Sequence, residues 1–166
     1  MRCFNQDVIE TSNNRGYSAI AIANYFALKG LGDGYPMVHM ALQKLTFIAH
    51  GWYLAFTNKP LVNEEAQAWG YGPVFESLYK MLRNKLNKPV TERLTDFLEL
   101  DEDVRRLLDI VYERYGDLST GQLVDIMTTK NTPWTNYYIP FLSVPIRNEV
   151  ILEHFTKLLK KKLLWY

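Results

Sequence analysis

Apolar residues recur at helical spacing through most of the chain, and the pattern is strongest over residues 38–57. There they occupy nearly every side of the predicted helix, whereas a surface helix carries one apolar stripe. A helix that is apolar on most sides is usually central in its domain. We therefore predict a mainly α fold, a single-domain helical bundle around this buried helix. Gly51 inside it costs about 1 kcal/mol relative to Ala, which predicts that another backbone approaches closely.

Cap and breaker residues place the other helices. Ser18 is a predicted N-cap, as is Asp101, while Ser119 and Gln122 form a capping-box pattern. Pro73 fits the first position of a helix. The predicted ranges are 19–28, 38–57, 73–85, 102–115, 120–129 and 148–163, with a short helix opening at Thr132-Pro133.

Two short segments, 66–71 and 142–146, have the pattern of extended chain, so the fold class includes the option of a small two-stranded β element. Residues 1–16 are polar and aperiodic, and we predict a flexible N-terminal arm there. The remaining residues, 17–166, are predicted to form the helical domain.

Composition and charge narrow the function classes. The 166 residues suit one domain, and 48% are hydrophobic. A net charge of +1 lacks the basic excess that phosphate binding requires, so nucleic acid is an unfavoured partner. The single cysteine, Cys3, fits a reducing cytoplasm. Polar residues interrupt the longest apolar segment, which argues against a membrane span.

A polar stripe of His39, Gln43, Thr46 and His50 crosses the predicted central helix. Three interpretations stay open: an internal network or solvent window, a partner-facing stripe, and catalysis. The two histidines lie roughly 16 Å apart along the helix, too far to share one metal ion. With no nucleophile motif, phosphate-binding loop or metal-ligand spacing, we predict a protein that is not an enzyme and has no cofactor.

Aromatic residues are the more informative group. Trp52 is predicted to lie in the core, whereas aromatics beside turn glycines and prolines are typical of rigid recognition surfaces. The candidate partner-binding residues are His39, His50, Tyr71, Pro133 and Trp134.

The order and spacing of several short motifs resemble the Panacea domain family, which is known from SocA antitoxins and GepA-like phage-associated proteins. The resemblance covers residues 18–159. The motifs are Leu42-Gln43-Lys44-Leu45, Gly51-Trp52-Tyr53-Leu54-Ala55, Pro60-Leu61, Ala68-Trp69, Tyr71-Gly72-Pro73-Val74 and Pro133-Trp134.

The resemblance implies an antitoxin that binds and neutralises a cognate protein toxin, and it implies delivery of that toxin to the Clp protease for SocA-type members. It also implies a prophage context and leaves a homo-oligomer open. The residues that carry the family motif are Gln43, Lys44, Gly51, Trp52, Trp69, Gly72 and Pro73.

Gln43 and Lys44 interrupt an apolar helix and therefore need partners. We expect them to anchor the corner formed by residues 69–73 to the central helix. Two other functions remain as alternatives. One is a DNA-binding helical regulator, for which Lys44 is the main basic residue on the central helix, and the other is a hydrolase whose site is assembled only in the fold.

Overall fold

Six α-helices and three short strands make up the computed structural model, which describes residues 16–85, 87–97 and 99–164. The mainly α fold class is confirmed, with a small sheet added to it. In chain order the elements are α1 (Ala19–Gly32), α2 (His39–Thr57), β1 (Ala66–Trp69), β2 (Gly72–Val74), α3 (Glu76–Leu82), α4 (Glu102–Tyr115), α5 (Thr120–Thr128), β3 (Val144–Ile146) and α6 (Asn148–Leu164).

Helix α2 is the centre of the fold, as its apolar pattern predicted. All five other helices and strand β2 pack against it. Its side chains are buried from Leu42 through Trp52 without a break, and Leu54 is buried as well. Asn58 ends the helix in a left-handed conformation, and its backbone N–H donates to the carbonyl of Leu54. The packing of every other helix and of β2 therefore depends on one helix.

Gly51 is required because an aromatic ring lies against the α2 backbone. A Cβ atom at this position would lie 2.1 Å from Cε2 of Phe155 on α6. The same ring packs edge-on against Trp52, with ring centroids 5.1 Å apart. The expectation of a second backbone at Gly51 is thus wrong, since the close neighbour is a side chain that docks α6.

The sheet has three strands in the order β2-β1-β3, one more than the predicted two-stranded element. Both pairs are antiparallel, with Ala68 opposite Pro73 in one and opposite Val144 in the other. Gly72 adopts a φ of +107°, which only glycine takes readily. The sequence prediction that Pro73 opens a helix is wrong: Pro73 lies inside β2, and α3 begins at Glu76.

Two helix ends also differ from the sequence prediction. Helix α1 continues through Gly30 to Gly32, because the following turn closes only at Tyr35, whose N–H donates to the Gly30 carbonyl. Asp101 precedes α4 as predicted but makes no side-chain cap, and its carboxylate instead accepts a hydrogen bond from the Tyr17 hydroxyl at 2.7 Å.

The cap of α5 is confirmed as a complete capping box between Ser119 and Gln122. The segment that follows is less regular than expected. Residues 132–137 form successive turns rather than the predicted short helix, because the Thr132 hydroxyl donates back to the Thr129 carbonyl instead of capping a helix.

Most of the predicted arm, residues 1–15, lies outside the described residues. The chain is held from Tyr17 onward, where its N–H donates to the Leu61 carbonyl and its carbonyl accepts from the Asn63 N–H. The division at residues 16 and 17 stays a prediction.

The substitution Gly51→Ala is expected to lower the free energy of unfolding by about 1–3 kcal/mol, because the new methyl group overlaps the Phe155 ring. Gly32→Ala, also in a helix but with no atom within 4 Å of the added Cβ, serves as the matched control and should leave stability unchanged or slightly raised. Urea unfolding of both variants gives the comparison. Equal effects of the two substitutions would contradict the tight packing.

Candidate functional site

The polar stripe on α2 is mainly an internal network. Gln43, Thr46 and His50 are buried, and so is Lys44 beside them. Within the described part of the chain, Thr46 carries the one buried side-chain polar atom without a hydrogen-bond partner. Of the open interpretations, the internal network is therefore the one that the geometry fits.

Gln43 joins α2 to the backbone at the end of strand β2. Its side-chain amide donates to the Phe75 carbonyl at 3.1 Å, and its side-chain oxygen accepts from the Phe75 N–H at 2.9 Å. A primary amide can satisfy both groups of one peptide residue in this way, as a neighbouring strand would. The pair fixes the point at which the chain leaves β2 and enters α3.

Lys44 makes the adjacent attachment. Its Nζ atom donates to the Pro73 carbonyl at 2.9 Å, in a side chain with no exposed surface. Its terminal Cε and Nζ atoms lie only 3.2 and 3.4 Å from where a Cβ of residue 72 would stand, which is a second reason for Gly72. The contacts that we expected from Gln43 and Lys44 are present, displaced toward residues 73–75. Burial lowers the pKa of Lys44 to about 7.

His50 holds together three parts of the chain. Its Nδ1 accepts from the backbone N–H of Val62 at 3.1 Å, so Nε2 carries the proton and donates to the Asn148 side-chain oxygen at 2.9 Å. Burial lowers its pKa to about 4, partly opposed by the bond to Asn148. A fully buried histidine with both nitrogens engaged cannot meet a partner. This burial removes His50 from the candidate partner-binding residues.

His39 lies at the start of α2 and is half-buried. Its Nε2 is 3.3 Å from the Gln43 amide nitrogen, and its ring packs against Tyr79 with centroids 5.6 Å apart. Burial lowers its pKa, and the nearby Lys44 lowers it further. His39 thus lies beside the hydrogen bonds between Gln43 and Phe75 and is partly exposed.

The hairpin formed by β1 and β2 is also fastened from the other side. The indole N–H of Trp134 donates to the Trp69 carbonyl at 2.6 Å, and the Trp134 ring stacks on Tyr138 at 4.5 Å. Trp69 packs edge-on against Tyr79 at 4.7 Å. The family-motif residue Trp69 and the candidate partner-binding residue Trp134 are therefore brought together, although they are 65 residues apart in sequence.

Exposure separates the remaining candidates. Tyr71, at the hairpin tip, is 69% exposed, whereas Pro133 is buried and Trp134 is partly buried. Burial removes Pro133 from direct contact with a partner and leaves it the role of shaping the turn that carries Trp134.

The sequence did not single out three other exposed residues of this region. Ile139, Phe141 and Leu142 follow Tyr138 and are exposed by half or more, with Phe141 fully exposed. Strand β3 begins at Val144 opposite Ala68, which brings residues 139–143 beside the hairpin tip. We call the exposed and partly exposed residues of these two segments, Tyr71, Trp134, Tyr138, Ile139, Phe141 and Leu142, the aromatic surface.

The aromatic surface belongs to two segments without charge. Residues 66–75 and 131–146 contain no Asp, Glu, Lys or Arg, in a chain of which 22% is charged. Depletion of charge and enrichment of aromatic residues are the compositional mark of the centre of a protein interface. This uncharged run was the available signal for residues 139–142.

Across residues 16–85, 87–97 and 99–164, no three His, Cys, Asp or Glu side chains come together as a metal site would require. No helix in the same ranges is both long and apolar enough to cross a bilayer.

The fold and site define a class: a mainly helical domain that fastens a β-hairpin to its central helix through buried polar side chains. A family model described as "Antitoxin SocA-like, Panacea domain" matches residues 42–135, and the chain belongs to this family. The resemblance noted in the sequence is thereby confirmed. The matched range contains α2 from Leu42 onward, the hairpin and Trp134.

The chain is similar to "Antitoxin SocA" from Caulobacter vibrioides (strain NA1000 / CB15N). The two are 28% identical over 135 residues, which cover 75% of this chain and 72% of that protein. No solved structure matches the chain significantly.

The substitution Gln43→Ala is expected to destabilise the fold by about 1–3 kcal/mol, because it leaves the buried N–H and carbonyl of Phe75 without their partners. Gln122→Ala is the matched control, since that side chain makes one exposed cap bond and should cost less than about 1 kcal/mol. Thermal melting of both variants tests the difference. A melting temperature unchanged by Gln43→Ala would show that the Gln43–Phe75 hydrogen bonds do not stabilise the fold.

Lys44 predicts a rise in stability with pH. Its pKa is about 7 in the folded chain against an ordinary value of 10.5 for an exposed lysine, so the unfolded chain binds more protons between these values. The free energy of unfolding should therefore rise by about 3 kcal/mol from pH 7 to pH 9.5. Lys44→Met should remove this dependence, and Lys29→Met, at a half-exposed ion pair, should retain it. Urea unfolding at several pH values measures the slopes, and equal slopes for the wild type and Lys44→Met would count against the buried amine.

Proposed function

We propose that this protein is the antitoxin of a toxin–antitoxin system and that it neutralises its cognate toxin by binding the toxin directly. Membership of the SocA-like antitoxin family supports the first part. The similarity to Antitoxin SocA over three quarters of the chain supports it as well. The second part depends on the surface of the domain. In this proposal both proteins act in the cytoplasm.

The aromatic surface is the observation that most supports direct binding of the toxin. It joins a hairpin and a turn that are distant in sequence, and the Trp134 indole fastens one to the other. The hairpin is in turn held on α2 by Gln43 and Lys44. A rigid, uncharged and aromatic face loses little conformational entropy on binding, which favours affinity.

A binding role without catalysis also fits the use of the polar groups. The side chains that chemistry would need, Lys44 and His50 above all, are buried and hydrogen-bonded to the chain itself. In this proposal they stabilise the scaffold, and the protein acts without a cofactor or metal.

The alternative of a DNA-binding regulator is disfavoured by the position of α2. A recognition helix must lie in the major groove with its side chains free, whereas α2 is enclosed by all the other helices. The basic residue that it offered, Lys44, is fully buried.

Co-expression with the product of the adjacent gene tests the proposal. That product alone should stop growth, and this protein should restore growth and co-purify with it in a stable complex. The control is the Gly51→Ala variant, which should restore growth less well because less of it is folded. Growth arrest that persists beside well-expressed wild-type protein would refute the proposed function.

Delivery of the toxin to the Clp protease is the second step that SocA-type members imply. The same co-expression in cells that lack Clp protease separates the two. Rescue that persists there assigns neutralisation to binding, and rescue that is lost there assigns it to degradation.

A further inference from the structure

Phe141 occupies an unusual backbone position. The Leu142 N–H donates to the Ile139 carbonyl at 3.0 Å, which closes a four-residue turn with Pro140 and Phe141 at its centre. Pro at the second position and a positive φ at the third are the signature of a type II turn, in which the third residue is normally Gly or Asn. Phe141 adopts a φ of +68° there.

A phenylalanine with a positive φ at this turn does not stabilise the fold through packing. A bulky residue in the left-handed region is strained, and strain of this kind is usually offset by packing elsewhere or is used at a functional site. The Phe141 side chain is fully exposed, so packing within the chain does not offset it. The turn therefore keeps an aromatic ring in solvent at a position where Gly would be easier.

The surroundings of the ring indicate the chemistry of what it meets. No charged residue occurs from Asn131 through Ile146, and the turn also exposes the apolar side chains of Ile139 and Leu142. A complementary surface must likewise be uncharged, because a charge facing this turn would lose its water without gaining a partner. It must also be concave, since a single protruding ring is buried only by entering a pocket.

We propose that Phe141 is the anchor of toxin recognition, inserted into an uncharged apolar pocket of the cognate toxin. This inference rests on the proposed function and names the residue that would dominate the interface. A second copy of this chain is a poorer occupant. In a symmetric dimer about this turn, the protruding ring would face the same protruding turn, and neither ring would be enclosed.

Two substitutions remove the ring without straining the backbone. Phe141→Gly and Phe141→Asn both suit a left-handed position, so each should melt near the wild-type temperature. Asn58→Gly makes a similar change at another left-handed residue, at the far end of α2. Leu31→Ala removes a partly exposed apolar side chain on α1.

Binding of the purified adjacent-gene product, in a form inactivated for handling, is measured by isothermal titration calorimetry. Both Phe141 variants should bind about 30-fold more weakly than wild type or worse, as loss of a central aromatic anchor does. Asn58→Gly and Leu31→Ala should bind as wild type does. Because the turn is uncharged, wild-type affinity should change less than about threefold between roughly 50 and 500 mM salt.

The outcomes separate the two proposals. If the wild-type protein does not bind the adjacent-gene product, neutralisation by direct binding is wrong. Wild-type binding that the Phe141 variants retain within threefold overturns the anchor and leaves the proposed function standing. A lower melting temperature of both Phe141 variants, a steep loss of affinity with salt, or wild-type self-association that both variants abolish would also overturn the anchor.

Discussion

The paired hydrogen bonds between Gln43 and the backbone of Phe75 are the interaction on which the rest of the site depends. They place a strand-like contact on the side of a helix, in a region closed to water. With the Lys44 bond to Pro73 beside them, they set the height and angle of the hairpin above α2. The hairpin then provides the middle strand of the sheet and the carbonyl that receives Trp134. The aromatic surface is thus positioned by the interior of the domain.

The central helix was predictable because its signal is local and strong. The apolar residues on nearly every side predict α2 as a buried helix. A complete capping box predicts the start of α5, and both patterns lie within a short stretch of sequence. Pro73 misled for a related reason: a Gly-Pro pair suits a helix start, but the buried polar side chains of Gln43 and Lys44 favour an extended conformation there. Tertiary contacts overrode the local preference.

The candidate site was predicted in part for the same physical reason. Tyr71 and Trp134 stand beside turn residues, and the sequence itself marks such places. The burial of His50 and Pro133 depends on α6 and the turns after α5, which no local pattern reports. Phe141 carried no local signal either, because a positive φ at a phenylalanine is set by the closing turn. Only the uncharged run around it pointed to a surface.

The docking of Phe155 on Gly51 also has a consequence for how the chain is made. About 90 residues separate the end of α2 from the start of α6. At synthesis rates of about 5–20 residues per second, α2 spends roughly 5 to 20 s without its last covering helix. During that interval a growing chain exposes apolar surface that chaperones and proteases recognise. Until α6 is made, the surface of α2 that Phe155 covers at Gly51 stays open to such factors.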